Sequence, residues 1–269
     1  MKVQVLGLCR FSFTGLGAFQ REHETIAERQ AALFDPKRLR ERLTWFEHVT
    51  LPPLRAQTDP AFTLLVLTGT DLPGWARQRL DALLSDLPQA RLVAHEPAPS
   101  HATANAVLQA AVDGDADLIA QFRMDDDDAV AVDFVERLRR DAAIPAGLVR
   151  EARPVALDYT RGMVLSVQAG SARLVPRFAQ YWTPGLAVLF RPRARHALMN
   201  FRHNRLWQSM TTLTQQDSVM WLRGHHGSND SSFPVEGPGF ACDDPDSTAL
   251  CRFVLNLPAF VDALRQGRG

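Results

Sequence analysis

The chain has no surplus of charge, almost no cysteine and no long apolar run, and each lack removes a class of function. Thirty Lys and Arg balance 30 Asp and Glu, so nothing in the charge favours a polyanion, and no nucleic-acid partner is expected. The three cysteines, Cys9, Cys242 and Cys251, show neither metal-ligand spacing nor a disulfide framework. They read as reduced thiols of a cytoplasmic protein. No apolar stretch approaches the roughly 20 residues that span a bilayer, and peripheral association with a membrane stays open. The first apolar run is broken by Gln4, Gly7 and Arg10, which makes it a strand and not a secretory signal. A dinucleotide fingerprint is missing too, because Gly15-Leu16-Gly17 has no further glycine at the required spacing.

What is present is an alternation of strand and helix signals. The 269 residues, 46% hydrophobic and 22% charged, are enough to bury a substantial core without staples. Apolar runs at 3–9, 62–68, 90–94 and 117–124 read as buried strands. Helical patterns at 22–33, 37–50, 75–84 and 101–112 fall between them. In the second of these, Leu39, Leu43 and Phe46 share a face, and Pro52-Pro53 closes the element. That order predicts an α/β fold with a mostly parallel central sheet and helices on both faces. The second half is less regular: a helix at 133–140, strands at 161–168 and 186–190, a helix over 218–222 ended by Gly224, and a final helix within 248–265. No repeat or linker interrupts the chain, which reads as a single domain.

The stretch with most chemistry is Asp125-Asp126-Asp127-Asp128, directly after the strand that ends in Arg123-Met124. Mg²⁺ or Mn²⁺ serving phosphate chemistry is held by one or two carboxylates, with phosphate oxygens and water completing the shell. At an extended strand end, residues i and i+2 point the same way. Asp125 and Asp127 are therefore expected to share a cation, with Asp126 and Asp128 turned to a sugar hydroxyl or the following helix. The alternative is a solvated acidic loop that favours the N-terminus of the next helix. Arg123 is placed to hold a diphosphate or to orient those carboxylates. Arg10, after the first strand, is either a diphosphate contact or a surface arginine.

Arg123, Asp125, Asp127 and Asp128 together resemble the D-x-D motif of glycosyltransferases with the GT-A (Rossmann-like) fold. Arg10-Phe11-Ser12, the Leu-Thr-Gly-Thr-Asp segment at 67–71, Pro184-Gly185-Leu186 and Trp221-Leu222 with His226-Gly227-Ser228-Asn229 are similar to a narrower group, the bacterial rhamnosyltransferases. The resemblance covers most of the chain. It implies a nucleotide-diphosphate sugar donor, a saccharide or lipid-linked acceptor as in polysaccharide biosynthesis, and a divalent metal (Mn²⁺ or Mg²⁺) assisting diphosphate departure. Residues 1–130 would bind the donor, and 131–269 would bind the acceptor and complete the catalytic site.

Residue by residue, the resemblance makes Asp125 and Asp127 the metal pair and His226 a late metal ligand, with His225 beside it. It makes Asp217 the general base of an inverting transfer. Gln216 departs from the usual Glu-Asp pair there, and Asp217 also suits a helix cap. Asp71 is expected at the nucleotide base or ribose. The basic segment from Arg191 to Arg205 reads as a solvated helix face or a contact for a phosphorylated acceptor, and Trp182 and Trp207 as sugar-stacking or core residues. Two other readings compete: a nucleotidyltransferase, for which Gly15-Leu16-Gly17 with Arg21 is a poor phosphate loop, and a non-catalytic divalent-metal module, which lacks EF-hand spacing.

Overall fold

A computed structural model describes residues 1–17, 25–168, 170–227, 229 and 233–267. Arg21, Ser228 and the start of the helix expected from Glu22 lie outside the described residues. In chain order the strands are β1 (Val3–Arg10), β2 (Gly15–Leu16), β3 (Thr63–Gly69), β4 (Ala90–His95), β5 (Ala98–Pro99), β6 (Leu118–Asp125), β7 (Ala129–Val130), β8 (Val155–Tyr159), β9 (Arg161–Gln168), β10 (Ser171–Phe178), β11 (Leu186–Phe190), β12 (Thr211–Gln215) and β13 (Trp221–His225). The α-helices are α1 (Ile26–Leu33), α2 (Pro36–Trp45), α3 (Leu51–Arg55), α4 (Gly74–Leu84), α5 (Ser100–Ala110), α6 (Phe134–Ala142), α7 (Pro245–Phe253) and α8 (Leu257–Gln266).

Seven strands form the central sheet in the order β12-β8-β11-β6-β1-β3-β4. β1 pairs in parallel with β3 and β6, β3 with β4, and β8 with β12; β11 runs antiparallel to both of its neighbours. The four apolar runs of the first half thus pair in parallel, as their alternation with helices predicts. Period-two alternation splits the core between the two faces. Val3, Val5 and Cys9 of β1 join a cluster covered by α2, α4, α6 and α8, whereas Leu6 and Leu8 join one covered by α5. A second sheet, β10-β9-β13-β7, carries much of the second half.

Three local expectations are corrected. Residues 218–222 form no helix: Trp221–His225 is β13, paired in parallel with β9. An apolar stretch this short suits either state, and here the neighbouring strand decides. The Trp221 indole lies over Gly162 of β9, where a Cβ would collide with it, and donates to the Tyr159 carbonyl at 2.8 Å. Second, Pro52-Pro53 does not close the helix. After α2 the chain widens into a π-turn (Phe46–Thr50) and continues as α3. The prolines sit in a first helical turn, where a missing N–H costs no bond. Third, the basic segment is not a helix face but two 3₁₀ turns, Leu198–Asn200 and His203–Gln208.

Among the described residues no single helix is long and apolar enough to cross a membrane; α7 and α8 reach that length only together, and are bent by 84° at their break. The topology also fixes where a ligand sits. From β1 the chain steps outward through β3 to β4, then returns to the other flank of β1 as β6. The crevice beyond the carboxyl ends of β1 and β6 is therefore the switch point at which open α/β sheets bind ligands. The register sets Arg10 beside Asp125 there.

Candidate active site

Strand alternation aims the first side chains. Phe122 and Met124 of β6 enter the α2–α6 core, so Gln121, Arg123 and Asp125 face the other way. Gln121 accepts from the Leu198 N–H at 2.9 Å, which anchors the first 3₁₀ turn under the crevice. Arg123 donates to His203 Nδ1 at 2.9 Å and lies 3.4 Å from Met199 Sδ. Asp125 accepts from Arg10 Nη2 at 2.8 Å.

β6 then stops, and the expected alternation of the acidic run stops with it. The chain turns at Asp126–Asp127, closed by Asp128 N–H to the Asp125 carbonyl and by Asp125 N–H to the Asp128 carboxylate, both 3.1 Å. Asp125 and Asp127 consequently do not share one side. The Asp125 side chain is 40% exposed, whereas those of Asp126 and Asp127 are 3% and 4% exposed and meet Arg42 of α2. Arg42 Nη1 donates to Asp127 Oδ2 at 2.9 Å, and its Nη2 pairs with Asp126.

The same Asp127 oxygen accepts from Asn229 Nδ2 at 2.8 Å and lies 2.9 Å from His226 Nε2. Arg42 Nη1 is itself 3.2 Å from that ring nitrogen. His226 stacks on Trp45 with centroids 4.7 Å apart and has Glu41 3.8 Å from its Nδ1. Gly224 permits this packing: a Cβ there would stand 2.6 Å from the Asp127 carbonyl oxygen and 3.0 Å from the Trp45 ring. One glycine thus lets β13 pass close behind the acidic turn.

The electrostatics separate the carboxylates. Burial opposes ionisation of Asp125, but Arg10 outweighs it and lowers the carboxyl. Asp127 is held far below the usual range, because Arg42 and His226 overcome its burial. Asp128 is pushed well up, by burial first and by Asp127 next. Arg123 is lowered to about 10 by burial and the neighbouring Arg10. His203 is lowered to about 4 by burial and Arg123, which makes it a neutral imidazole at physiological pH.

In front of these groups lies a cavity of about 610 Å³, lined by seven arginines against four aspartates. Arg10, Arg123 and the whole acidic run line it, together with Arg38, Arg42, Arg223, His203 and Trp182. Trp182 has Arg177 at 5.2 Å and Arg223 at 5.0 Å from its ring centroid. His226 reaches the site through its bond to Asp127.

Three expected contributors lie elsewhere. Asp71 accepts from Thr14 at 2.9 Å and Gln30 at 2.7 Å, tying the loop after β3 to the loop after β1 and to α1. Trp207 is 61% exposed and does not line the cavity. Asp217 does not line it either: it lies between β12 and β13, its side chain 59% exposed, 2.9 Å from Arg137 Nη1. Its expected place at a helix start is lost because the helix is a strand.

Sequence reasoning gave no site role to Arg42 or Arg223, named Asn229 only within the motif after His226, and held His203 only as part of the basic segment 191–205. Arg42 carried a signal: it sits between Leu39 and Leu43 on the inward stripe of α2, and a charge on a core face implies a buried partner.

As folded, the expected ligand set does not fit a resident divalent ion. Among the described residues no three of His, Cys, Asp and Glu are grouped as metal ligands. Asp127 and His226 do meet, but the Arg42 guanidinium stands against both of them and Asp126, and Asp125 is turned to Arg10.

Over residues 4–237 the sequence matches the family described as "Putative rhamnosyl transferase". The chain belongs to that family. The resemblance carried by the residues around Asp125 is therefore confirmed across most of the chain. Comparison with curated proteins gives no match. Solved structures that align with this family member include S. aureus TarS 1-349 with UDP (14% identity, TM-score 0.44, 83% of this chain and 60% of that one). The same protein with UDP-GlcNAc aligns at 14% identity and a TM-score of 0.45, over 87% and 62% of the two chains. A Bacillus anthracis "Putative Glucose-1-Phosphate Thymidylyltransferase" with sucrose aligns at 10% and 0.40, over 81% and 88%. The chain spans about three-fifths of the length of those two TarS structures.

Proposed function

We propose that this rhamnosyl transferase family member transfers a sugar from a nucleotide-diphosphate sugar, held in the arginine-lined cavity, to a hydroxyl of a saccharide or lipid-linked acceptor. The observation that carries the reading is the Arg10–Asp125 pair at the switch point of the sheet, opening on a cavity with more cations than anions. A departing nucleoside diphosphate needs charge stabilisation where negative charge develops, and guanidinium groups give it as paired, directional hydrogen bonds. Rhamnose as the transferred sugar rests on the family description alone. Residues 1–130 supply the donor side through Arg10 and Arg123, and the second half closes the cavity with Trp182, Arg223 and His203.

Asp125 is the acceptor-side carboxylate in this reading. It is the most exposed member of the acidic run and is kept ionised by Arg10. It takes the acceptor proton as the hydroxyl oxygen bonds to the anomeric carbon and the diphosphate leaves from the opposite face, which inverts that centre. Asp217, committed to Arg137 outside the cavity, is not assigned that part.

A thermal-shift panel of UDP-, GDP- and dTDP-sugars, rhamnose among the sugars, tests the reading. A ligand that binds only the native state at 100 times its Kd adds about 2.7 kcal/mol, or a rise on the order of 5–10 °C for a domain of this size. One donor is expected to give that rise, and Arg123→Met to remove it. Silence of every nucleotide-sugar in the panel overturns the assignment of the cavity.

A further inference from the structure

The acidic turn already contains a cation, and it is covalently part of the chain. Arg42 reaches it from α2 across a core, with its side chain 8% exposed, and contacts both Asp126 and Asp127. Its Nη1 stands 2.9 Å from Asp127 Oδ2 and 3.2 Å from His226 Nε2. A divalent ion shared by Asp127 and His226 would contact those same two atoms. Asp127 Oδ2 accepts from Asn229 as well, so a bare ion would have to displace two donors, Arg42 and Asn229, from one oxygen. The arginines are divided between two places: Arg42 pairs with the buried Asp126 and Asp127, whereas Arg10, Arg123 and Arg223 line the cavity on its crevice side.

We propose that Arg42 is the resident cation of the acidic turn and that Arg10, Arg123 and Arg223 bind the nucleoside diphosphate group of the donor without a divalent metal. The inference rests on the donor-site reading above and goes beyond it by naming what neutralises the phosphates. Arg10 is held by Asp125 at 2.8 Å, Arg123 is set by His203 at 2.9 Å, and Arg223 packs over the Phe233 ring at 4.3 Å from its centroid. All three guanidinium groups are thereby oriented before a ligand arrives, which lowers the ordering cost of binding. Mutual repulsion between Arg123 and its neighbours Arg10 and Arg223 is relieved when an anion enters among them.

Calorimetric titration of the wild-type chain with UDP, GDP and dTDP, in excess EDTA and in millimolar Mn²⁺, tests the proposal. At least one nucleotide is expected to bind with Kd values within about threefold in the two buffers, a tenfold change being about 1.4 kcal/mol of interaction. Binding weaker by tenfold or more in EDTA overturns metal-free recognition while leaving the donor site in place. Failure of all three nucleotides in both buffers removes the donor site and this proposal with it.

The role of Arg42 is read separately, from melting temperatures without nucleotide. Mn²⁺ is expected to leave the wild-type Tm unchanged and to restore part of the Tm lost in Arg42→Ala, because the ion enters the place the guanidinium vacates. A wild-type Tm that rises with Mn²⁺ alone, or a folded Arg42→Ala that Mn²⁺ does not stabilise, overturns the assignment. Should Arg42→Ala not fold, the wild-type melting and titration measurements decide it.

Discussion

Asp125 and Asp127 stand two residues apart in one acidic run, yet their replacement by alanine should fail in different ways. Asp127→Ala takes from the buried Arg42 guanidinium one of its two carboxylates, from the Asn229 amide an acceptor and from His226 a neighbour at 2.9 Å, at a side chain only 4% exposed. Breaking a buried ion pair by removing one partner costs about 3–5 kcal/mol, a large part of a total stability of roughly 5–15 kcal/mol. At roughly 2–4 °C per kcal/mol for a chain of this size, the melting temperature should fall by about 10 °C. Asp125→Ala removes one pair, to Arg10, from a side chain 40% exposed. Such pairs contribute at most about 1 kcal/mol, so this variant should melt within a few degrees of wild type while losing sugar transfer.

Urea unfolding followed by tryptophan fluorescence, with Trp45 packed on His226 as a reporter, measures the first effect; product formation measures the second. Equal destabilisation by the two substitutions, or an Asp127→Ala loss below about 1 kcal/mol, would refute the division of the run. The pH dependence carries the same sign test. The carboxyl of Asp127 is depressed in the fold, so its contribution is present above the ordinary carboxylate value and is lost as pH falls towards its own lower one. Wild type should therefore lose stability below about pH 4 in a way Asp127→Asn does not.

Asp217→Asn should alter stability by at most about 1 kcal/mol, the range of an exposed ion pair, and leave kcat within about twofold; a collapse of kcat at unchanged donor affinity would restore Asp217 as the base. Asp158 is buried, accepts at Oδ1 from the Tyr181 N–H at 2.9 Å, and burial pushes it up to about 7. A raised carboxyl contributes stability below its unfolded value and loses it as pH rises to the folded one. Between about pH 4 and 7 the native state therefore sheds on the order of 4 kcal/mol at 1.36 per unit, and Asp158→Asn should flatten that slope in denaturation curves taken across the range.

The first half of the fold was legible because its signals are local. β1, β3, β4 and β6 are apolar runs bounded by turn residues, and three of the helices between them end near the predicted positions. The second half was not, because its strands owe their state to partners distant in sequence. β13 carries a sequence that reads as a helix, and becomes a strand by pairing with β9 and packing Trp221 onto Gly162. β8 and β12 pair with each other some 55 residues apart. β10 has exposed and charged positions that hide its alternation until it forms a hairpin with β9.

The site divides along the same line. Arg10, Arg123 and the acidic run were visible because a strand end at a switch point is a local feature with a general consequence. Their division of labour was hidden, since it depends on where β6 stops. Had the strand continued, Asp125 and Asp127 would share a face and make a plausible ion site. It ends at Asp125, the turn swings Asp126 and Asp127 towards α2, and the residue awaiting them there is Arg42. The expected alternation of the carboxylates and their observed pairing with Arg42 thus differ by one local event, two residues of turn in place of two of strand. Arg42 alone gave warning, as an arginine on the apolar face of an amphipathic helix. Such a residue is costly to bury without a countercharge, and the longest carboxylate run in the sequence is Asp125–Asp128.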